Sequence, residues 1–179
     1  MTNDIAEMPV ALQTVATSDL SVPALADFHE GLAMMEAGQS REAVTAFTRL
    51  VAQVPTFTAG HIWLGMAHAV SSNVYPAIDH LEKAAELAPD NFAAHYMLAK
   101  WYFTLRVSNK GYEAAERALA CATNSQQRIS LSQLLQKERE REKHGIARPL
   151  FNRKFGLGVG FLAASGVAAF LCAIVLRLR

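Results

Sequence analysis

The sequence predicts an all-α protein: a solenoid of about three helix-turn-helix units with a capping helix, followed by one C-terminal transmembrane helix. Two observations predict it. The middle of the chain resembles itself with a period of about 34 residues, and the C-terminal part contains one long, uninterrupted apolar run. A fixed period of this size is typical of repeat proteins, whose units bury their apolar faces by stacking on one another.

The repeat consists of five matched pairs of residues that are small, bulky or proline at the same place in each unit. The pairs, each one period apart, are Gly31 and Gly65, Ala43 and Ala77, Phe47 and Leu81, Leu50 and Ala84, and Pro55 and Pro89. Within each unit the apolar residues are three and four positions apart, which predicts two antiparallel helices. The small residues would let the paired backbones approach, and the prolines would end the second helices because proline cannot continue a helix interior.

A third unit is recognisable but is predicted to depart from the period. Its first half keeps the spacing, since Leu98 follows Leu64 by one period. Its second half matches only with a longer spacing, since Leu119 follows Leu81 by one period and four further positions. We therefore expect a four-residue insertion in the turn at 106–111.

With these positions in phase, the chain resembles a tetratricopeptide repeat (TPR) protein. Residues 24–57 and 58–91 match the pattern well, and the third repeat lacks the closing proline. The resemblance implies a TPR domain over 24–123, preceded by an N-terminal arm at 1–23. It also implies a protein-binding surface, because the first helices of stacked TPR repeats line a concave groove.

By this resemblance, nine side chains would line the groove, and eight of them are apolar. They are Phe28, Leu32, Met35, Ile62, Met66, Ala69, Tyr96, Lys100 and Phe103. Chaperone-binding TPR domains place Lys, Asn and Arg there to hold a C-terminal carboxylate, and only Lys100 is of that kind here. An apolar groove with two methionines suits an amphipathic helix or an extended apolar segment of a partner protein. The alternative is that several of these side chains are core between the helix pairs.

The N-terminal arm, 1–23, mixes apolar residues with polar ones and with Pro9 and Pro23. Its acidic start is unlike a secretory or mitochondrial leader. Two interpretations stay open. The arm is a disordered terminus, or it lies in the groove and competes with a partner.

The sequence of 124–144 predicts one further helix, whose first half has an apolar face and whose second half is charged. The apolar face of its first half would cover the exposed flank of the last repeat. This face consists of Ile129, Leu131, Leu134 and Leu135. The second half, 137–143, is charged on all sides, and we expect a solvated spacer or a segment lying along lipid headgroups. Gly145 and Pro149 should end the helix in a basic linker at 145–154.

The predicted transmembrane helix covers 155–176, a run without a charged residue, His, Asn or Gln. As a helix it would be about 33 Å long, enough to cross a hydrocarbon core of roughly 30 Å. Bases on the domain side, together with a tail of only 177–179, favour a cytoplasmic TPR domain. The alanine-rich composition favours a bacterial inner membrane. The alternative is the mitochondrial outer membrane, since the overall plan is similar to that of mitochondrial fission adaptors.

Small residues recur at every fourth position of the predicted span. They are Gly156, Gly160, Ala164, Ala168 and Cys172. A row of this kind lets a second helix approach closely, so the span could pack against its own copy or against a partner's span. The alternative is chance in an alanine-rich chain.

Charge and motif content restrict the functional class. Residues 1–123 carry 13 acidic and 7 basic residues, a net charge of −6, which argues against nucleic acid as a partner. His61 and His95 occupy one repeat position, and no metal, phosphate-loop or nucleophile motif occurs, so we expect no metal, no cofactor and no enzyme activity. The sequence predicts a membrane-tethered scaffold or adaptor that recruits or assembles a protein complex. The alternative is a stable accessory subunit of a larger membrane complex.

Overall fold

The computed structural model describes residues 20–146, and every regular element in that range is an α-helix. The helices are α1 (Val22–Glu36), α2 (Ser40–Gln53), α3 (Thr58–Val70), α4 (Val74–Leu87), α5 (Phe92–Thr104), α6 (Ser108–Cys121) and α7 (Ser125–Ile146). The chain divides into two compact units, one up to Glu138 and one from Arg139. The described part of the second unit is the last two turns of α7.

Helices of the first unit pack in the order of the sequence. α1 pairs with α2, α3 with α4, and α5 with α6, while α2 also contacts α3 and α4 contacts α5. Connections of three or four residues join these helices, so consecutive helices run antiparallel. The result is the predicted solenoid of three helix pairs, and its core lies between the helices.

The second helices start at Ser40, Val74 and Ser108, and both intervals equal one period. The third repeat therefore has no insertion, and the predicted shift to a longer spacing was wrong. Leu119 is 55% exposed. The residue that takes the place of Leu81 in the third repeat is the buried Ala115.

In the first two repeats, a glycine on the first helix makes room for a large side chain on the second. A Cβ atom on Gly31 would lie 2.5 Å from the ring of Phe47, and one on Gly65 would lie 2.8 Å from Leu81. Phe47 and Leu81 are fully buried. These glycines therefore set the close approach of the paired helices.

In the third repeat the large side chain and the glycine that makes room for it stand at a different pair of positions, one helical turn further along the first helix. Gly111 lies on the second helix, and a Cβ there would be 2.5 Å from the ring of Phe103 on the first. Phe103 is 2% exposed and stands at the position of Met35 and Ala69, while Gly111 stands at that of Ala43 and Ala77. A comparison of residue types could not detect this change of position, and it matched Leu119 with Leu81 instead.

The three turns within the helix pairs share one backbone geometry. Gly38, Ser72 and Arg106, which are spaced by the same period, have φ angles of 76°, 66° and 63°. The next residue closes each turn, as in the hydrogen bond of 2.9 Å from Val107 N to Tyr102 O. This left-handed position after the helix is the usual end of an α-helix, and it fixes the register of all three repeats.

Part of the apolar face predicted for the cap is buried in α7. Leu131 is buried in the core, and Leu134 and Leu135 pack against the core. Ile129, however, is 47% exposed, so it is not part of that face. Its position corresponds to His61 and His95, which pack beside second helices, and no second helix follows α7 among the described residues.

The charged half of α7 is less solvated than predicted. Glu138 is buried, and Arg141 and Glu142 are half-buried, each with an interaction partner. The prediction that this half is charged and solvated on all sides was therefore wrong for these residues. The helix also continues through Gly145 to Ile146.

Within residues 20–146, no helix combines the length and the apolar character that a membrane crossing requires. The predicted span at 155–176 lies outside the described residues. So do the row of Gly156, Gly160, Ala164, Ala168 and Cys172, the tail at 177–179, the linker beyond Ile146 and the arm before Leu20.

Candidate interaction surfaces

The structure buries seven of the nine side chains that were predicted to line the concave groove. Each of the seven is 6% exposed or less: Phe28, Met35, Ile62, Met66, Ala69, Tyr96 and Phe103. Leu32 and Lys100 are half-buried. Ring packing explains part of this burial, since the ring centre of Phe28 lies 5.7 Å from that of Phe57. The interpretation of these residues as core thus fits the structure for seven positions, and a role in partner binding stays a prediction.

His61 and His95 form the same hydrogen bond in consecutive repeats. His61 Nε2 lies 2.9 Å from the carbonyl oxygen of Pro55, and His95 Nε2 lies 2.8 Å from that of Pro89. A carbonyl oxygen only accepts, so Nε2 carries the hydrogen in both rings. In the neutral form of each ring, Nδ1 is then an acceptor.

In the second repeat, His80 of α4 occupies the space beside that acceptor. The Nδ1 atoms of His61 and His80 lie 3.3 Å apart, and the ring of His80 is stacked on that of His68 with centres 5.7 Å apart. Burial, and then the charges of His61 and His68, lower the pKa of His80, while Asp79 raises it. Burial also lowers the pKa of His68. Both shifts favour the neutral imidazoles of His68 and His80.

Sequence reasoning did not identify this cluster, although part of its signal was present. His61 and His68 are two helical turns apart, which places them on one face of α3. The contribution of His80 depends on how α4 packs on α3. Across the described range 20–146, no three His, Cys, Asp or Glu side chains are arranged to hold a metal ion.

In the third repeat, Ala114 stands at the position that His80 has one period earlier. His95 is 4% exposed, and its Nδ1 has no hydrogen-bond partner. A cavity of about 620 Å³ opens beside this histidine, between α4, α5 and α6. His95, Leu98 and Tyr102 of α5 line it together with Ala114.

The walls of this cavity, which we name the α4–α6 cleft, carry charges of both signs. Glu82 and Glu86 line it on α4, and Lys110, Glu113 and Arg117 line it on α6. The cleft thus combines a partly apolar floor with charged walls.

Two further groups of the cleft are held by hydrogen bonds. The hydroxyl of Tyr102 donates to Glu82 at 2.5 Å, and Lys110 Nζ lies 5.2 Å from the centre of the Tyr102 ring. Burial, and then this hydrogen bond, raise the pKa of Tyr102, which keeps the phenol protonated. Cys121 Sγ donates to the Pro89 carbonyl at 3.5 Å, and burial raises its pKa, which disfavours the reactive thiolate.

No protein-family model matches the sequence, and no curated protein does. Solved structures do match. The TPR2B domain of yeast Sti1, in a complex with pHsp70, aligns with a TM-score of 0.65 and 21% identity over 68% of this chain and 99% of that chain. The first TPR domain of Spaghetti (RPAP3), bound to the HSP90 peptide SRMEEVD, gives 0.58 and 18% over 66% and 94%.

A third match is the Sgt2 TPR domain from Aspergillus fumigatus, with a TM-score of 0.60 and 17% identity over 69% of this chain and 83% of that chain. At these identities the likeness concerns the fold. The predicted TPR helical solenoid is confirmed.

Proposed function

We propose that this chain is a membrane-tethered TPR scaffold that recruits or assembles a protein complex and is not an enzyme. The observation that carries the proposal is the stacking of three helix pairs in the fold of the Sti1 and RPAP3 domains, both of which were solved with a chaperone-derived partner. A protein partner is therefore the class of ligand that the fold favours. Neither a cofactor nor a nucleic acid is part of the proposal.

The partner that fits this sequence differs from the acidic peptide bound by the RPAP3 domain. Among the nine positions predicted to face the groove, Lys100 is the one cation, and the other eight are apolar. We therefore propose an apolar or amphipathic segment as the ligand. Leu32 and Lys100 are the two of the nine that are half-buried, so contact with a partner should be made there.

The tether is proposed from the apolar run at 155–176 and from the basic linker before it. A bacterial inner membrane with the TPR domain on the cytoplasmic side is favoured, and a fission-type adaptor of the mitochondrial outer membrane is the alternative. Retention of the protein in the membrane pellet after alkaline carbonate extraction tests the anchor. Protection of the TPR domain from protease added to intact spheroplasts tests the topology.

Photo-crosslinking of the full chain in cells tests the binding face. A photoreactive phenylalanine analogue is placed at Leu32 or at Lys100, with Tyr75 as the matched control, because Tyr75 is 84% exposed and lies on α4. We expect the same partner to be captured at Leu32 and Lys100 but not at Tyr75. Equal capture at all three sites, or capture at Tyr75 alone, would contradict the proposed face.

A second comparison separates the two kinds of partner. Mass spectrometry of proteins purified with the full chain, and with a form that ends at Gly145, distinguishes partners of the TPR domain from partners of the membrane segment. A partner that stays bound through mild detergent and gel filtration would indicate a stable accessory subunit. A partner that is recovered only after crosslinking would indicate a transient adaptor.

A further inference from the structure

Three of the six large apolar side chains that are exposed among residues 20–146 lie at one end of the solenoid. Each first helix ends and each second helix begins at this end, so the turns within the three helix pairs follow one another along it. Leu105 and Val107, 39% and 41% exposed, stand on either side of Arg106, and Tyr75, 84% exposed, is the second residue of α4. We name these four residues the turn surface.

The charges beside these residues favour an anionic partner. The segments 69–78 and 101–112, which form this end of the second and third pairs, contain no Asp or Glu, and 101–112 contains two bases. Arg106 is exposed, with a φ angle of 63° that glycine would adopt without steric cost. The first pair differs, since 36–42 carries two acids and one base. At the opposite end, the last turn of α4 and the connection after it carry two acids and no base.

The direction of α7 brings the chain to the same end of the solenoid. α7 follows α6 after a three-residue connection, so as far as Glu138, within one compact unit, it runs parallel to the first helices. Glu138 follows Thr104, the last residue of α5, by one period, so the chain is there level with the turns.

The chain that follows Glu138 limits how far the membrane can be from this end. Eight more residues of α7 and the eight-residue linker 147–154 precede the proposed span at 155–176. Together they reach at most about 38 Å, with 1.5 Å per helical residue and about 3.3 Å per extended residue. The opposite end is farther along the chain's path by the length of a first helix, about 20 Å.

We propose that the turn surface rests on the headgroups of the membrane to which the chain is tethered. This contact rests on the tether of the proposed function. Arg106 would pair with a lipid phosphate, and the side chains of Tyr75 and Val107 would enter the interfacial layer, where aromatic and apolar groups are stabilised. The tether keeps this lipid surface at a high effective concentration, whereas a second protein would have to bind from solution.

This contact would orient the TPR domain. Its helices would stand on the membrane with the ends of the second and third pairs downward, and the connections between the pairs would point away from the lipid. Tyr75 would then face lipid, which agrees with its use as the control position for capture of a protein partner.

The test uses the full-length protein in vesicles of phosphatidylcholine and phosphatidylglycerol. Cys121→Ser and Cys172→Ala remove the native thiols, and a fluorophore is attached at Tyr75→Cys, Val107→Cys or Val22→Cys. Val22 is the matched control, because it is 84% exposed, as Tyr75 is, and lies at the opposite end of the solenoid. A lipid with a spin label close to its headgroup quenches fluorophores that touch the membrane. We expect quenching at positions 75 and 107 and none at position 22.

Arg106→Gln tests the contact with the headgroup, because it removes the charge and keeps a long side chain. Loss of one basic residue near an anionic surface should lower the ratio of docked to undocked protein about fivefold, seen as reduced quenching at position 107. Arg117→Gln is the control, since Arg117 is also exposed on α6 but lies away from the turn. Vesicles of phosphatidylcholine alone should give at least the same reduction.

Three results would overturn the contact while leaving the tether intact. They are equal quenching at all three positions or none at any, quenching that does not depend on anionic lipid, and equal effects of Arg106→Gln and Arg117→Gln. Photo-capture of a protein at Tyr75 in cells would assign the surface to a protein partner instead. Flotation of the vesicles in a density gradient tests the tether separately. Protein that does not float with the vesicles would refute the tether, and the contact with it.

Discussion

The close contact between Phe103 and Gly111 makes a prediction about the sign of a mutation. A methyl group added by Gly111→Ala would lie 2.5 Å from two ring carbons of Phe103. The ring cannot easily move away, because it is 2% exposed and also packs on Tyr112 with centres 5.0 Å apart. Overpacking of this kind costs about 1–3 kcal/mol, while replacing glycine by alanine within a helix gains about 1 kcal/mol. We expect Gly111→Ala to destabilise the protein, by an amount that reaches about 2 kcal/mol.

Removal of the ring should reverse that sign. Phe103→Ala alone should cost about 3–5 kcal/mol, because it empties a buried site. With the ring absent, Gly111→Ala meets no obstacle and should stabilise the protein by about 1 kcal/mol. The second repeat shows the resulting pair in place, since Ala69 and Ala77 occupy the corresponding positions and both are buried.

Urea unfolding of the four proteins measures this coupling, with the combined fluorescence of Trp63 on α3 and Trp101 on α5 and far-ultraviolet circular dichroism as independent probes. Ala120→Gly is the control, because Ala120 is exposed on the same helix and reports helix propensity alone. Equal effects of Gly111→Ala in the presence and absence of the Phe103 ring would refute the reasoning. The contact would then not determine the spacing of the last pair.

Three further outcomes are expected. Arg106→Gly should stabilise the protein by about 0.5–1 kcal/mol in urea unfolding, since φ at Arg106 is 63° and glycine adopts that conformation without steric cost. The pKa values of His80 and His68 are lowered in the fold, so protonation favours the unfolded chain. The urea midpoint should therefore be constant above about pH 7 and fall below about pH 6.5, and His80→Gln should reduce that fall. Tyr102→Phe should cost about 1 kcal/mol, measured in the same way, because it removes the hydrogen bond to Glu82.

The first two repeats could be predicted from the sequence because glycine and proline set their spacing, and both residues act strongly on the local backbone. Gly31 and Gly65 permit close approach, and Pro55 and Pro89 end helices. The spacing of the third repeat was predicted wrongly because an arginine at position 106 does not indicate a left-handed turn, whereas a glycine at position 38 does. The backbone of the third repeat keeps the period, although the residue types at its matched positions differ from those of the first two repeats.

The candidate sites were predicted less well, for two physical reasons. The period alone showed that His61 and His95 occupy equivalent positions. The cavity beside His95 was not, because the assumed longer spacing matched His80 with Ala118 and so hid Ala114. The burial of groove positions such as Ile62 depends on how neighbouring helices stack, and the period alone does not determine that.

The opposite placement of glycine in the last repeat determines which part of the chain is an exchangeable module. If α6 replaced α4, Gly65 would face Ala115 and Ala69 would face Gly111, and no bulky side chain would fill the interface between the two helices. If α5 and α6 were moved together, Phe103 would keep its place against Gly111. Recombination or design can therefore shuffle whole helix pairs of this protein, while a single helix of the third repeat is incompatible with a single helix of the second.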